Sequence, residues 1–230
     1  MKKDFELNLL DYEEALKLEH RNYCEYYVSL LKYNHPISFS FGTYNDYNSK
    51  VIKTFLFFFS FFLDLSINAL FFTDDTMHKI YEDKGKFNLL YQIYQILYST
   101  IISRFIDSFI RNFALTKDKI IALKRKIIKR GHKIYKKFKR MFIIKFIIFY
   151  ISTFISLLFF CYYISCFCGI YINTQIHLIK DSIFSLIISL LIPFALYIIL
   201  GIFRISSLRV KKPTRKYLYK FSIFIENWFC

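Results

Sequence analysis

YYISCFCGIYINTQIHLIKDS, Tyr162–Ser182, is the stretch on which the fold turns. Cys166 and Cys168 sit one residue apart, Cys161 lies just upstream, and His177 follows an Asn-Thr-Gln triplet. Read as ligands, these residues make a poor zinc site. Structural zinc uses paired C-x2–4-C spacings, and no second pair is present. A disulfide between Cys161 and either neighbour is conceivable, provided the segment faces an oxidising lumen. The plainest reading makes them small, soft apolar residues at a helix end. Asn173, Thr174 and Gln175 then form a turn, and the stretch is the hinge between two membrane helices.

The flanks support the hinge. MFIIKFIIFYISTFISLLFFCYYIS, residues 141–165, and DSIFSLIISLLIPFALYIILGIF, residues 181–203, are apolar runs long enough to span. Asp181 or Ser182 is placed to cap the second run, and Pro193 near its middle predicts a kink. Upstream, VIKTFLFFFSFFLDLSINALFF, residues 51–72, gives about 33 Å of helix at 1.5 Å per residue. The chain is 55% hydrophobic and 21% aromatic, yet carries a net charge of +16. Such values coexist only if apolar and basic residues are segregated along the chain. With 5 Gly and 3 Pro among 230 residues, a turn-rich β fold is disfavoured.

NLLYQIYQILYSTIISRFIDSFIRNFAL, residues 88–115, is more polar. Asn88, Gln92, Gln95, Ser99, Ser103 and Asp107 step by three or four and form one stripe. A spanning helix with its stripe against protein fits this pattern, with an interfacial helix as the alternative. The expected fold is therefore an all-α integral membrane bundle of about four helices. Residues 51–115 form the first pair and residues 141–203 the second.

The remaining segments read as cytosolic. Residues 1–50 hold an amphipathic helix, LDYEEALKLEHRNYCEYYVSLLKY, with Asp11 and Glu14 placed for a capping box. His35-Pro36 ends it. TDDTMHKIYEDKGKF follows the first span as a polar loop. Residues 116–140 form a basic amphipathic linker, and residues 204–230 a basic tail. No N-terminal apolar run has the length of a secretory signal. The segments 116–145 and 204–230 carry 20 of the 33 Lys and Arg residues. Two spans separate them, so they lie on one side, which the charge bias makes cytosolic. Both termini follow them there.

Candidate functional groups are intramembrane polar residues: Asp64, Asn68, Gln92, Gln95, Arg104 and Asp107. An unpaired Asp64 in mid-span costs about 2.5–3.5 kcal/mol on insertion scales. An Asp64–Arg104 contact would offset that cost; alternatively, Asp64 is neutral and Arg104 pairs with Asp107. Small residues at spacing four, Ser152 with Ser156 and Ser185 with Ser189, permit close helix packing. Lys124, Arg125, Lys126, Lys129, Arg130, Lys136, Lys137, Lys139 and Arg140 are candidate contacts for anionic lipid. Tethering between spans favours lipid over nucleic acid as their partner. No catalytic constellation, phosphate loop or cofactor motif is present. The expectation is a non-enzymatic anchoring or assembly module with a possible homo- or hetero-oligomeric partner. A channel or transporter subunit is the alternative.

LDYEEALKLEHRNYCEYYVSLL, NDYNSKVIK, INALFFTDDTMHKIYEDKGKFNLLYQ and YYISCFCGIYINTQIHLIKDS with GIFRISSLR resemble one family. It is a set of poorly characterised multi-pass membrane proteins of protists, ciliates in particular. The resemblance runs from about Leu10 to Arg209. It implies membrane location and no particular activity. Tyr94 and Ser206-Ser207 stand where that family tends to proline.

Overall fold

The computed structural model describes residues 4–84, 86, 89–117, 119–121, 123, 132–209 and 215–229. The described residues are mostly helical, with no strand among them. Four short helices come first: α1 (Asp4–Asn8), α2 (Tyr12–Leu18), α3 (Tyr23–Tyr33) and α4 (Pro36–Phe41). Then come α5 (Lys50–Leu70), α6 (Asp74–Glu82), α7 (Leu89–Ala114), α8 (His132–Ile170), α9 (Gln175–Arg209) and α10 (Arg215–Phe229). Among the described residues three helices are long and apolar enough to cross a membrane, over Lys50–Leu70, Lys136–Ile170 and Ile172–Arg209. The α7 helix falls outside that group.

The expected single N-terminal helix is instead two, α2 and α3. Asn22 explains the break. It accepts from the Glu25 backbone N–H at 2.8 Å, and the Glu25 carboxylate accepts from the Asn22 N–H at 2.8 Å. This reciprocal box starts a new helix. Asp11 precedes α2 without a side-chain capping bond. His35-Pro36 does end α3, and Pro36 then opens α4 at a position where its missing N–H costs nothing. The polar segment after α5 is not all loop, since Thr73 caps α6 by accepting from the Thr76 N–H at 3.3 Å.

The hinge forms where expected. A single 3-10 turn, Ile172–Thr174, separates α8 from α9. The Thr174 hydroxyl donates to the Tyr171 carbonyl at 3.1 Å, and Gln175 Nε2 donates to the Cys168 carbonyl at 2.9 Å. These bonds occupy carbonyls that the end of α8 leaves open. Cys161, Cys166 and Cys168 are free thiols. Among the described residues no cluster suited to a metal ion is found. Asp181 and Ser182 do not cap the last span. The helix has begun at Gln175, and both residues are buried within it.

The chain falls into two compact units. The first comprises Met1–Thr54, Leu115–Ile143 and Leu190–Cys230. Its core joins Tyr26 and Leu30 to Tyr197, Leu200 and Ile205, while Leu10 and Ala15 pack on Tyr219. The loop before α5 is pinned by a buried Lys53–Asp46 ion pair at 3.2 Å. The second unit comprises Phe55–Ala114 and Ile144–Ser189. Phe59 packs on Phe160, and Phe72 on Phe167, at centroid separations of 5.9 and 5.5 Å. The segment read as a basic tail begins within α9, which runs to Arg209, and continues as α10.

Candidate functional site

The polar stripe of α7 faces inward. Gln92, Gln95, Ser99, Ser103 and Asp107 are all buried, whereas Tyr94 is 67%, Ile101 64% and Phe109 60% exposed. The side chain of Asn88 lies outside the described residues. From Gln92 to Asp107 the stripe covers about 22 Å of helix, most of the thickness of a bilayer core.

Asn68, fully buried on α5, is the centre of this seam. Its amide donates to the Asp64 carbonyl at 2.9 Å and to the Ser185 hydroxyl at 3.0 Å. Its Oδ1 accepts from Ser99 at 2.7 Å. Thr100 donates to Ser185 at 3.2 Å, and Gln95 Nε2 approaches Asp181 Oδ2 at 3.4 Å. One side chain thus ties α5, α7 and α9 together. A hydrogen bond between membrane helices contributes about 0.6 kcal/mol on average, so this cluster is worth a few kcal/mol at most.

Arg104 takes a partner that the sequence reading did not assign. Its Nε donates to the Ser189 hydroxyl at 2.9 Å, and its Nη2 donates to the Ser189 carbonyl. Pro193 accounts for that carbonyl's availability. Proline has no N–H to give to the residue four before it, which here is Ser189. Asp107 accepts from Arg111 at 2.6 Å, one turn along its own helix. Arg104 thus bonds Ser189, and Asp107 pairs with Arg111. Asp64 Oδ2, Asp107 Oδ1, Asp181 Oδ1 and both amide atoms of Gln92 are buried without a hydrogen-bond partner among the described residues.

The small-residue pairs divide by role. Ser185 and Ser189 receive bonds from other helices. Ser152 and Ser156 bond back to their own helix, at Phe149 and Ser152 carbonyls. Of the lipid-contact candidates, Lys136, Lys137, Lys139 and Arg140 are exposed on the first turns of α8. Lys124, Arg125, Lys126, Lys129 and Arg130 lie outside the described residues.

A second polar centre, in the first unit, has no counterpart among the expected site residues. Arg204 is fully buried near the end of α9. It donates to the Asn8 and Leu7 carbonyls at 2.8 and 2.7 Å. Its guanidinium carbon lies 5.0 Å from the Tyr26 ring centre and 4.9 Å from that of Tyr219. Carboxylates of Glu19 and Glu226 each stand 3.8 Å away. Glu19 also receives Arg21 at 2.7 and 2.6 Å, and Glu226 receives Asn34 at 3.1 Å and Tyr26 at 3.2 Å. The Tyr219 hydroxyl donates to the Leu10 carbonyl at 2.7 Å. Arginine suits this position, because its fork serves two carbonyls while its faces stack on aromatic rings. One residue therefore fastens α1, α2, α3 and α10 to α9.

No family model, curated protein or solved structure matches the chain. The chain is all-α, and among the described residues three helices are long and apolar enough to cross a membrane.

Proposed function

We propose that the chain is a multi-pass membrane protein of four spanning helices, α5, α7, α8 and α9, serving as a non-enzymatic anchoring or assembly module. The protist family resemblance belongs to the same proposal. The observation that carries it is the inverted surface of α7, polar within and apolar without. In water, each large apolar side chain left outside forgoes about 1.5–3 kcal/mol of burial. In hydrocarbon the same arrangement is the favourable one, because polar groups need protein partners there. The charge bias then assigns both termini to the cytosol. The exposed Lys136, Lys137, Lys139 and Arg140 at the start of α8 suit anionic headgroups.

One observation favours a second reading, a conducting or transporting subunit. Three buried carboxylates, Asp64, Asp107 and Asp181, each keep an unpartnered oxygen along the seam. Intramembrane ionisable groups of this kind mark ion or proton paths. Flux through the purified protein in liposomes separates the two readings. Flux abolished by Asp64→Ala and Gln92→Ala makes the seam a pathway. Absence of flux in folded, oriented protein leaves the anchoring module.

A further inference from the structure

We propose that α10 (Arg215–Phe229) is an interfacial helix that binds an anionic lipid surface through its outward apolar stripe. This proposal rests on the membrane reading above. Ile223 and Ile225 pack inward, yet the helix also leaves large apolar side chains on its outer face. Tyr219, Ser222 and Glu226 share one face and are buried against protein. Tyr217, Phe221 and Phe224 share the opposite face and are 77%, 50% and 56% exposed. Lys220 flanks that stripe and is exposed. A cytosolic tail surrounded by water would be expected to turn these faces the other way.

The position of the helix names the occupant. Five residues separate Arg215 from Arg209, the last residue of a helix able to span. Phe203 of that helix meets Phe221 at a centroid separation of 5.9 Å, and Arg204 holds Tyr219. The exposed stripe is therefore fixed beside the end of a span, at the height of the headgroups. Interfacial helices combine such an apolar face with lysines at its border. The connecting sequence RVKKPTRK adds five basic residues and no acid, which complements anionic lipid rather than a basic or neutral protein surface.

The test uses the full chain in phosphatidylcholine vesicles containing phosphatidylserine. Trp228, the single tryptophan, is replaced by Phe, and a reporter is placed as Phe224→Trp or, independently, Phe221→Trp. Both sites keep at least half their surface exposed, Phe221 also meeting Phe203, and circular dichroism confirms the helix content. The proposal expects blue-shifted emission, quenching by lipids brominated near the headgroup, and protection from aqueous iodide. Emission quenched by iodide and untouched by brominated lipid would overturn it. Protection from both quenchers would also overturn it, because the stripe would then be covered by a second copy or another protein. If the flux and topology experiments fail while brominated lipid quenches, the helix binds membrane and the four-span reading alone is lost.

Discussion

Replacing Arg204 tests how the N- and C-terminal helices are held. Arg204→Met keeps much of the side chain's bulk and removes the charge and fork. Two charge-assisted hydrogen bonds are lost, to the carbonyls of Leu7 and Asn8, each worth about 1.5–3 kcal/mol. Glu19 keeps Arg21, and Glu226 keeps Tyr26 and Asn34, so neither carboxylate is left bare. Breaking a buried pair by removing one partner costs about 3–5 kcal/mol; with these residual partners, about 4 kcal/mol is expected. At 1.4 kcal/mol per decade, this raises local opening by about a thousandfold. Amide hydrogen exchange on the detergent-solubilised full chain reads that change. Protection should fall in Tyr12–Leu18 and Arg215–Phe229 and hold over residues 144–165. Arg204→Lys should lose part of the protection, because an ammonium cannot span both carbonyls and stack on two rings. Unchanged protection in α2 and α10, or an equal loss along α8, would refute the clamp.

Other consequences follow from the same geometry. Asn68→Ala should lower detergent-state stability by about 1 kcal/mol, from its two interhelical bonds, to Ser185 and Ser99, at the average intramembrane value, measured by steric-trap or thermal unfolding. Pro193→Ala returns an N–H to the Ser189 carbonyl, so Arg104→Ala should cost less stability in that background than alone, as a double-mutant cycle would show. Burial pushes the Tyr219 hydroxyl up to about 12, with the carboxylates of Glu226 and Glu19 adding to the rise and Arg204 opposing it. Its raised value means the folded state favours the protonated form. The resulting stability is fully present below the ordinary tyrosine value of about 10 and is lost as pH rises from there towards 12. Tyr219→Phe should remove that component from the alkaline unfolding curve of the first unit.

How much of this was legible in the sequence varied with the range of the interaction. The long apolar runs around Phe59, Leu157 and Leu190 announce candidate spans by length alone, without reference to partners. The stripe from Gln92 to Asp107 was equally legible, since spacing on one helix fixes a shared face. The turn at Ile172–Thr174 followed from a polar triplet between two apolar runs. The break between α2 and α3 was harder to read, because Asp11-x-x-Glu14 and Asn22-x-x-Glu25 are both capping patterns. Glu19, engaged by Arg21 and Arg204, sits at the break. Arg204 shows the limit most clearly. It lies 196 positions from Asn8, and nothing local indicates that a basic residue at a span end is buried rather than solvated. Arg104 is similar: its partner became available through a proline on another helix, a relation that charge pairing alone does not suggest. Pro193 in an apolar run together with an arginine in a neighbouring helix was the available signal.

The central claim is that α7 crosses the membrane, and topology mapping tests it most directly. One epitope is placed at Asp83, before α7, and another within residues 124–130, after it, in sealed vesicles of uniform orientation. The account predicts that an impermeant antibody or protease reaches one tag and reaches the other only after detergent. Both tags on the same side would contradict it. The polar seam would then belong to a helix lying along the membrane rather than through it.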